Sequence, residues 1–419
     1  MVDVKSLHSL DFPLLLNVLA LAVMGVLLIA GATYGRPDME QLWIRQTLWI
    51  CIGIAAIGFC VLVRIEWFLK WSPLFYFACL GLLVLVFFVD PIKGARSWIK
   101  LPGLPISFQP SEFMKIVTIL FLAHRLGRRS GEVKGFWGLF EPLLIGAVPA
   151  VMVLAQPDLG TAMIFAPITL IMMYIAGLHP AYFLLLFSPF LGFLGISSQP
   201  LYFLIWVIVL CGILVYALWR QVTLPVFVIF VVLNIGSYAG LRTFGATAWE
   251  KVPTHWQGRI KGYLDPEFDP QHINWNLNQS KIAVGSGGFW GHGWGQGTQS
   301  RLQFLPEVET DFVFSVMGEQ WGFLGCMIFL ALITFLVVRG LIRAQESRHL
   351  AAALIISGVM TLYASHVIIN AGMSMGLLPI TGLPLTFVSK GGSFMMTNLL
   401  GIGLVLGAQQ QRFSRSFGQ

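Results

Sequence analysis

The chain consists mostly of long apolar runs separated by short polar segments. Twelve runs approach the ~20 residues that a helix needs to cross a bilayer, and the shorter ones require tilt or flanking polar residues to do so. They lie at 12–33, 47–63, 74–89, 113–123, 142–155, 161–175, 181–196, 201–219, 222–239, 312–338, 350–371 and 383–408. This pattern predicts an all-α integral membrane protein, a polytopic helical bundle of about 12 spans.

Composition agrees with that prediction and indicates which kinds of partner to expect. The chain is 57% hydrophobic and 11% charged, whereas soluble proteins carry about 25% charged residues. The five cysteines all fall inside apolar runs, so neither a disulfide framework nor a metal-ligand spacing is present. The net charge of +7 suits anionic lipid headgroups. We therefore expect membrane lipids, and no nucleic acid, as partners.

Basic residues predict the orientation. If the N-terminus is cytoplasmic and the spans alternate, most Lys and Arg residues of the short connections fall inside, as the positive-inside rule requires. An even number of spans then returns the C-terminus to the cytoplasm. Residues 1–419 form one polytopic membrane domain, and residues 240–310 form a large extracytoplasmic loop within it.

The segment that ends this loop carries the main candidate chemistry. Asp311 lies where the 312–338 run begins, and Glu319 lies roughly 12 Å deeper at 1.5 Å per residue. Carboxylates at such depths are costly and usually functional. The alternatives are that Asp311 only caps a helix start, and that Glu319 only pairs with a neighbouring span. The glycines at 285–297 could let backbone N–H groups approach a phosphate, although their spacing matches no standard phosphate-binding motif.

Other polar residues are assigned to the same membrane face as Asp311. They are the charged residues Arg96, Glu112, Lys115, Asp158 and Lys390, with Trp98 close to Arg96 in sequence. Together these charges suggest a site for a charged lipid headgroup. For Glu112 and Lys115, which share one helix face, a stabilising ion pair is an equal alternative to a ligand role.

Five motifs resemble the SEDS family of integral-membrane peptidoglycan glycosyltransferases, and its elongation-type RodA branch more than its FtsW branch. The motifs are FQPSEFMK from Phe108, AQPDLGTA from Ala155, QSKIAVGSGGFWGHGWGQGTQS from Gln279, FLPEVETDFVF from Phe304, and NAGMSMGLLPITGLPLTFVSKGGS from Asn370. Two features depart from the family pattern. An extra pair of apolar runs at 181–239 adds to the ten spans typical of the family, and Lys390 replaces the usual Tyr of the last motif.

The resemblance implies polymerisation of lipid II, a disaccharide-pentapeptide joined by pyrophosphate to a polyprenyl chain, during cell elongation and shape maintenance. A sugar hydroxyl attacks the anomeric carbon of a second molecule with inversion, and undecaprenyl pyrophosphate leaves. Asp311 is the implied general base. The implied substrate-binding residues are Arg96, Trp98, Glu112, Lys115, Asp158, Gln279, Ser280, Lys281, Thr298, Glu319 and Lys390.

The resemblance also implies a location and a partner. The location is the bacterial cytoplasmic (inner) membrane with both termini cytoplasmic, and the partner is a class B penicillin-binding protein transpeptidase. No cofactor is certain. A Mg²⁺ or Mn²⁺ ion bridging pyrophosphate and a carboxylate is one alternative, although the sequence has no ligand cluster for it. The alternative function is a transporter that flips lipid-linked sugars.

Overall fold

The structure is a computed structural model of the 419-residue chain. It describes a helical protein with one short two-stranded hairpin. The described residues are 10–36, 41–89, 97–100, 107–128, 135–179, 254–265, 274–302 and 307–410, with scattered positions between these ranges.

Twelve helices and two strands lie in this part of the chain. In order they are α1 Phe12–Ala32, α2 Leu42–Leu62, α3 Ile65–Val86, β1 Ile99–Lys100, β2 Ser107–Phe108, α4 Pro110–Gly127, α5 Gly135–Ala155, α6 Leu159–Ile175, α7 Thr254–Leu264, α8 Trp275–Ser286, α9 Thr298–Arg301, α10 Val313–Glu346, α11 Leu350–Met375 and α12 Gly392–Gln410. The strands pair antiparallel, with Ile99 opposite Phe108.

Seven of these helices are long and apolar enough to cross a membrane: α1, α2, α3, α5, α10, α11 and α12. The shorter apolar helix α6 adds to them. The all-α membrane class predicted from the apolar runs is therefore confirmed. Nine predicted runs coincide with helices, whereas the three runs at 181–239 fall mostly outside the described residues.

The boundaries correct the sequence-based predictions in two places. Helix α2 begins at Leu42 rather than near residue 47, which brings Arg45 onto its first turn. Helix α12 begins at Gly392, because the Gly- and Pro-containing segment at 376–391 is not helical. Helix α11 ends where Gly376 adopts a left-handed conformation, with φ of 77°. The segment at 240–310, predicted as a loop, contains helices α7, α8 and α9.

Helices α11 and α12 form the centre of the bundle. Most side chains of both are buried within the protein, whereas α1, α2, α3, α5 and α10 each expose apolar faces. Helix α11 packs against α4, α6, α8, α10 and α12, and α12 packs against α2. Exposed apolar faces around a buried core are what a bilayer requires, since lipid covers them.

The two ends of α10 are held differently. At its C-terminal end, Arg339 and Arg343 bind Asp11, the residue that caps α1. At the other end, Asp311 lies in the turn that leads into Val313. The start of α1 and Asp311 therefore lie at opposite ends of α10, as the predicted topology requires.

Candidate functional site

Asp311 is a half-buried carboxylate in a confined setting. Its Oδ2 faces Gly382 so closely that a Cβ on that glycine would lie 3.2 Å away. Burial raises the pKa of Asp311 to about 6, although a hydrogen bond from the Thr310 side chain acts in the opposite direction and lowers the pKa. The negative charges of Glu307 and Asp158 also raise this pKa, and the positive charge of Arg259 lowers it. A carboxylate whose pKa approaches neutrality is suited to accept a proton at physiological pH.

A cavity of about 530 Å³ opens beside Thr310, between α2 and the start of α12. Arg45 and Lys390 contribute positive charge to its wall, and Trp49 and Trp98 contribute aromatic surface. The remaining lining residues are Leu42, Gln46, Leu48, Ile52, Ser107, Thr310, Gly391 and Gly392. Thr310, which directly precedes Asp311, lines the cavity, so the candidate base lies one residue from its wall.

Two of the predicted binding residues therefore lie at this cavity. Trp98 follows the end of α3 and precedes the hairpin. Lys390 lies at the end of the non-helical segment, where its Nζ is 3.5 Å from Glu309 Oε1. Arg96, two residues before Trp98 in sequence, lies outside the described residues.

Glu112 and Lys115 lie deeper, in the interior of the bundle. Lys115 Nζ lies 2.9 Å from both Glu112 oxygens and 2.9 Å from His366 Nε2, and neither Lys115 nor His366 has exposed surface. The ligand role predicted for this pair is not what its burial supports. The geometry favours the alternative, an internal ion pair within α4, because a lysine so enclosed has no free face for a substrate. The contact of Lys115 with His366 joins this pair to α11.

Asp158 begins helix α6 and shares its two oxygens between two partners. Oδ1 accepts a hydrogen bond from Thr161 N at 3.0 Å, and Oδ2 accepts one from Gln109 Nε2 at 3.2 Å. It is close enough to Asp311 to raise the pKa of that residue. The structure thus brings Asp158 and Asp311, separated by 153 residues in sequence, into one electrostatic neighbourhood.

The glycine-rich segment corrects a second interpretation. Its backbone pairs with a break in α10 at Gly322, where φ is 66°: His292 N donates to Glu319 O at 2.9 Å, and Phe323 N donates to Gly288 O at 2.9 Å. A Cβ at Gly291 would collide with the backbone of Gln320. Close packing of backbone on backbone, and not an approach to phosphate, therefore explains the glycines at this junction.

Glu319, which the hydropathy pattern placed inside a span, is part of this junction. Its Oε1 accepts hydrogen bonds from Thr298 Oγ1 at 3.2 Å and from Gln299 N at 2.6 Å. The side chain has no exposed surface. Glu319 and Thr298 thus bind each other across the junction, which is a structural role in this conformation.

Three consecutive residues predicted to bind substrate, Gln279, Ser280 and Lys281, lie on α8, where two are buried and one is exposed. Ser280 is fully buried, with its Oγ 2.6 Å from Ser315 Oγ and donating to Ser374 O at 2.8 Å. Gln279 is buried beside it. Lys281 is exposed and lies against Gly376. Lys281 is the one charged residue of the three, and its side chain is accessible.

Sequence reasoning missed Arg45, Gln46 and Trp49 as cavity residues. The signal was present as a polar pair next to tryptophans, but the predicted span began too late to place it on a helix. His366 was missed because a lone histidine in an apolar run gives no indication of a partner 251 residues away. Among the described residues, no group of three or more His, Cys, Asp or Glu side chains could hold a metal ion.

Comparison with known proteins gives a consistent result. A family model described as "cell cycle protein", covering FtsW, RodA and SpoVE, matches residues 12–206 and 197–413. The chain is 30% identical over 411 residues to the probable peptidoglycan glycosyltransferase FtsW of Trichlorobacter lovleyi, covering 96% of this chain and 93% of that one. It is also 30% identical over 448 residues to the peptidoglycan glycosyltransferase RodA of Treponema pallidum, covering 96% and 98%.

Solved structures agree with the sequence relatives. A chain from a peptidoglycan synthase complex that coordinates polymerisation and crosslinking is 26% identical and superimposes with a TM-score of 0.68. The match covers 96% of this chain and 98% of that one. The overall fold therefore occurs in a chain of a complex that joins those two reactions.

Proposed function

The chain belongs to the SEDS family, the FtsW, RodA and SpoVE proteins, and is a peptidoglycan glycosyltransferase of the membrane, and we propose that it polymerises lipid II with Asp311 as the general base. The observation that carries this proposal is the position of Asp311. A half-buried carboxylate with a pKa raised to about 6 directly follows Thr310, which lines a cavity with both cationic and apolar walls. Such a cavity suits a molecule with a charged head and a hydrocarbon tail.

In the proposed reaction, Asp311 takes the proton of the 4-hydroxyl of one sugar. The oxygen attacks the anomeric carbon of a second lipid-linked molecule, and the carbon–oxygen bond to the pyrophosphate breaks with inversion. The leaving group departs as a lipid pyrophosphate and needs no proton from a second acid, because pyrophosphate is already a good leaving group. The proton on Asp311 passes to water before the next turnover.

Arg45 and Lys390 are the proposed partners of the pyrophosphate. Both line the cavity, and positive charge fixed where negative charge develops stabilises a transition state. The Lys390 side chain is about one-third exposed, and its carboxylate partner Glu309 is 3.5 Å away, so the ammonium group remains able to reach an anion. The apolar side of the cavity, with Leu48 and Ile52, faces outward from α2 and suits the polyprenyl chain.

The proposed setting is the outer face of the cytoplasmic membrane, during elongation, together with a class B penicillin-binding protein. The similarity to a chain of a synthase complex that couples polymerisation to crosslinking supports such a partner. Tethering a transpeptidase beside the site raises the effective concentration of new glycan at that second enzyme.

The test uses purified chain in detergent, with its cognate transpeptidase, and lipid II as substrate. We expect long glycan products from the wild-type chain and none from Asp311→Asn at equal protein levels. Detergent removes the compartments that a flippase needs, so polymer formation separates the two candidate functions. Absence of polymer from the wild-type pair would overturn the proposal.

A further inference from the structure

Three consecutive backbone carbonyls around the candidate base are held by residues from the last part of the chain. Lys390 N donates to Glu309 O at 2.8 Å, and Ser389 Oγ donates to Thr310 O at 2.6 Å. Asn370 Nδ2 donates to Asp311 O at 2.8 Å. The carbonyls of Thr310 and Asp311 belong to the two peptide planes that flank the Asp311 Cα. Both backbone torsions of Asp311 are therefore fixed from outside its own segment.

The two side-chain donors are themselves held in place. Asn370 uses its second amide hydrogen on Leu383 O at 2.6 Å, and its side chain has no exposed surface. Ser389 Oγ accepts a hydrogen bond from Leu385 N at 2.7 Å, while Ser389 O accepts one from Gln46 Nε2 at 3.2 Å. A donor with fixed partners on both sides holds its acceptor in one position.

The non-helical segment at 376–391 also packs against the carboxylate of Asp311. Gly382, with φ of 74°, faces Asp311 Oδ2, and a Cβ there would lie only 3.2 Å from that oxygen. Leu383 O is bound by Asn370, and Pro384 O lies 3.1 Å from His366 Nδ1. Two side chains of α11 one helical turn apart, Asn370 and His366, thus hold the 376–391 segment, and Asn370 also holds the backbone of Asp311.

We infer that Asn370 and Ser389 are positioning residues for glycosyl transfer, which fix the backbone on both sides of Asp311 so that its carboxylate faces the acceptor hydroxyl in one orientation. This inference rests on the proposed role of Asp311. Neither side chain has exposed surface, so neither is expected to touch substrate. Their effect passes through the geometry of Asp311.

The expected effect is a loss of turnover with little change in substrate binding. A displacement of about 1 Å at a reacting group costs about 10²-fold in rate. We expect Asn370→Ala and Ser389→Ala to lower kcat by that order while KM stays within a few-fold of the wild-type value. A variant that only unfolds part of the sample would lower the amount of active protein, and would keep the kcat of each folded molecule.

The pH profile gives a second readout. The groups that face Asp311 are Thr310, Glu307, Arg259 and Asp158, and none of them is changed by these substitutions. Releasing the backbone lets water reach the carboxylate, and hydration favours its ionised form. The acid limb of the rate should therefore move to lower pH in both variants. Partial unfolding would leave the limb where it is.

A matched control lies on the same helix. Tyr363 is also fully buried, and its hydroxyl donates to Asn398 O at 2.6 Å, which joins α11 to α12 without a bond to the backbone around Asp311. Tyr363→Phe removes a buried bond of the same kind. We expect it to keep the wild-type kcat per folded molecule and the wild-type acid limb.

The experiment measures lipid II polymerisation by the full chain with its transpeptidase, normalised to folded protein, for both variants, the control and Asp311→Asn. If Asn370→Ala does not fold, Ser389→Ala tests the same inference by removing a single oxygen. Suppose that Asp311→Asn is inactive while the positioning variants keep the wild-type kcat and the wild-type acid limb of the pH–rate profile. That result would overturn this inference and leave the proposed role of Asp311 standing. An active Asp311→Asn would instead overturn the proposed base.

Discussion

Asp11 and Asp311 lie at opposite ends of helix α10 and show what a partner does to a carboxylate. Asp11 is buried, and its oxygens accept hydrogen bonds from Arg339 Nε at 2.7 Å and Arg343 Nε at 3.0 Å. No ion pair to Asp311 occurs within the described residues, and its carboxylate lies against Gly382. One aspartate is neutralised by two cations, whereas the other is enclosed without a bound cation.

The difference appears in opposite pKa shifts. Burial raises the pKa of Asp11, but the hydrogen bonds from Arg339 and Arg343 outweigh burial and leave its pKa below 3.8. Burial raises the pKa of Asp311 to about 6. A paired carboxylate stabilises the fold and does not take up protons near neutral pH. An enclosed, unpaired one is held ready to accept a proton, at a cost in stability.

The largest expected effect comes from removing the basicity of Asp311. Asp311→Asn keeps the size of the side chain, so the protein should fold and insert normally. Loss of a general base typically lowers turnover by about 10²–10⁴-fold. The measurement is polymer formed from lipid II per folded molecule, and Asp11→Asn is the matched control. Near-normal turnover in Asp311→Asn would show that Asp311 is not the base.

The same substitution should stabilise the protein. A carboxyl whose pKa is higher in the folded state contributes stability below its unfolded pKa, and that contribution is lost as pH rises through the folded pKa of about 6. At pH 7.5 the wild-type protein therefore carries a cost that a neutral amide lacks. We expect Asp311→Asn to raise the free energy of unfolding by about 3 kcal/mol, because the pKa rises from 3.8 to about 6 at ~1.4 kcal/mol per pKa unit.

Thermal unfolding in detergent at two pH values checks this prediction. The gain in melting temperature should be largest at pH 7.5 and about half as large at pH 5, because at pH 5 Asp311 is protonated in the folded protein while the unfolded chain is still ionised. An equal gain at both pH values would contradict the link to ionisation.

These two aspartates also show how far the sequence leads. The position of Asp311 at the mouth of an apolar run was predicted from hydropathy, and most helices were predicted from the same local pattern. The partners of Asp11 lie 328 and 332 residues away, and the partner of Lys115 on α11 lies 251 residues away. Periodicity reports which residues are buried, and it carries no information on which distant residue each one meets.

The glycines illustrate the same limit in another way. Their number near residues 285–297 indicated a special backbone, but a phosphate site and a close backbone junction require the same residue type. The break at Gly322 decides between them, because it supplies the backbone groups that the glycine-rich segment binds. That break lies inside the predicted run at 312–338, close to Glu319 and Gln320, and the hydropathy pattern alone did not locate it.

The pH dependence of turnover is the next prediction. If Asp311 must be ionised to accept a proton, the rate should rise with pH through about 6 and level off above it. Below that midpoint the ionised fraction falls about tenfold for each pH unit. Polymerisation measured from pH 5 to 8, with stability of the protein checked at each pH, gives the midpoint. Asp11→Asn should keep the same midpoint, and a midpoint near 4 would show that Asp311 is not desolvated during the reaction.

The smallest expected effect comes from Asp11→Asn. Asparagine remains a good helix cap, so the hydrogen bond from Leu14 N, 3.2 Å in the wild-type protein, should persist. The change removes the charge that binds Arg339 and Arg343, whose side chains are 28% and 40% exposed and can turn to water or lipid headgroups. Because pairs with an exposed partner contribute little, we expect a loss of about 1 kcal/mol in stability. Turnover per folded molecule should change less than twofold, since the site lies at the other end of α10. A melting temperature a few degrees lower with unchanged kcat would confirm that this end only supports the fold. A large loss of turnover would show that the two ends of α10 are coupled.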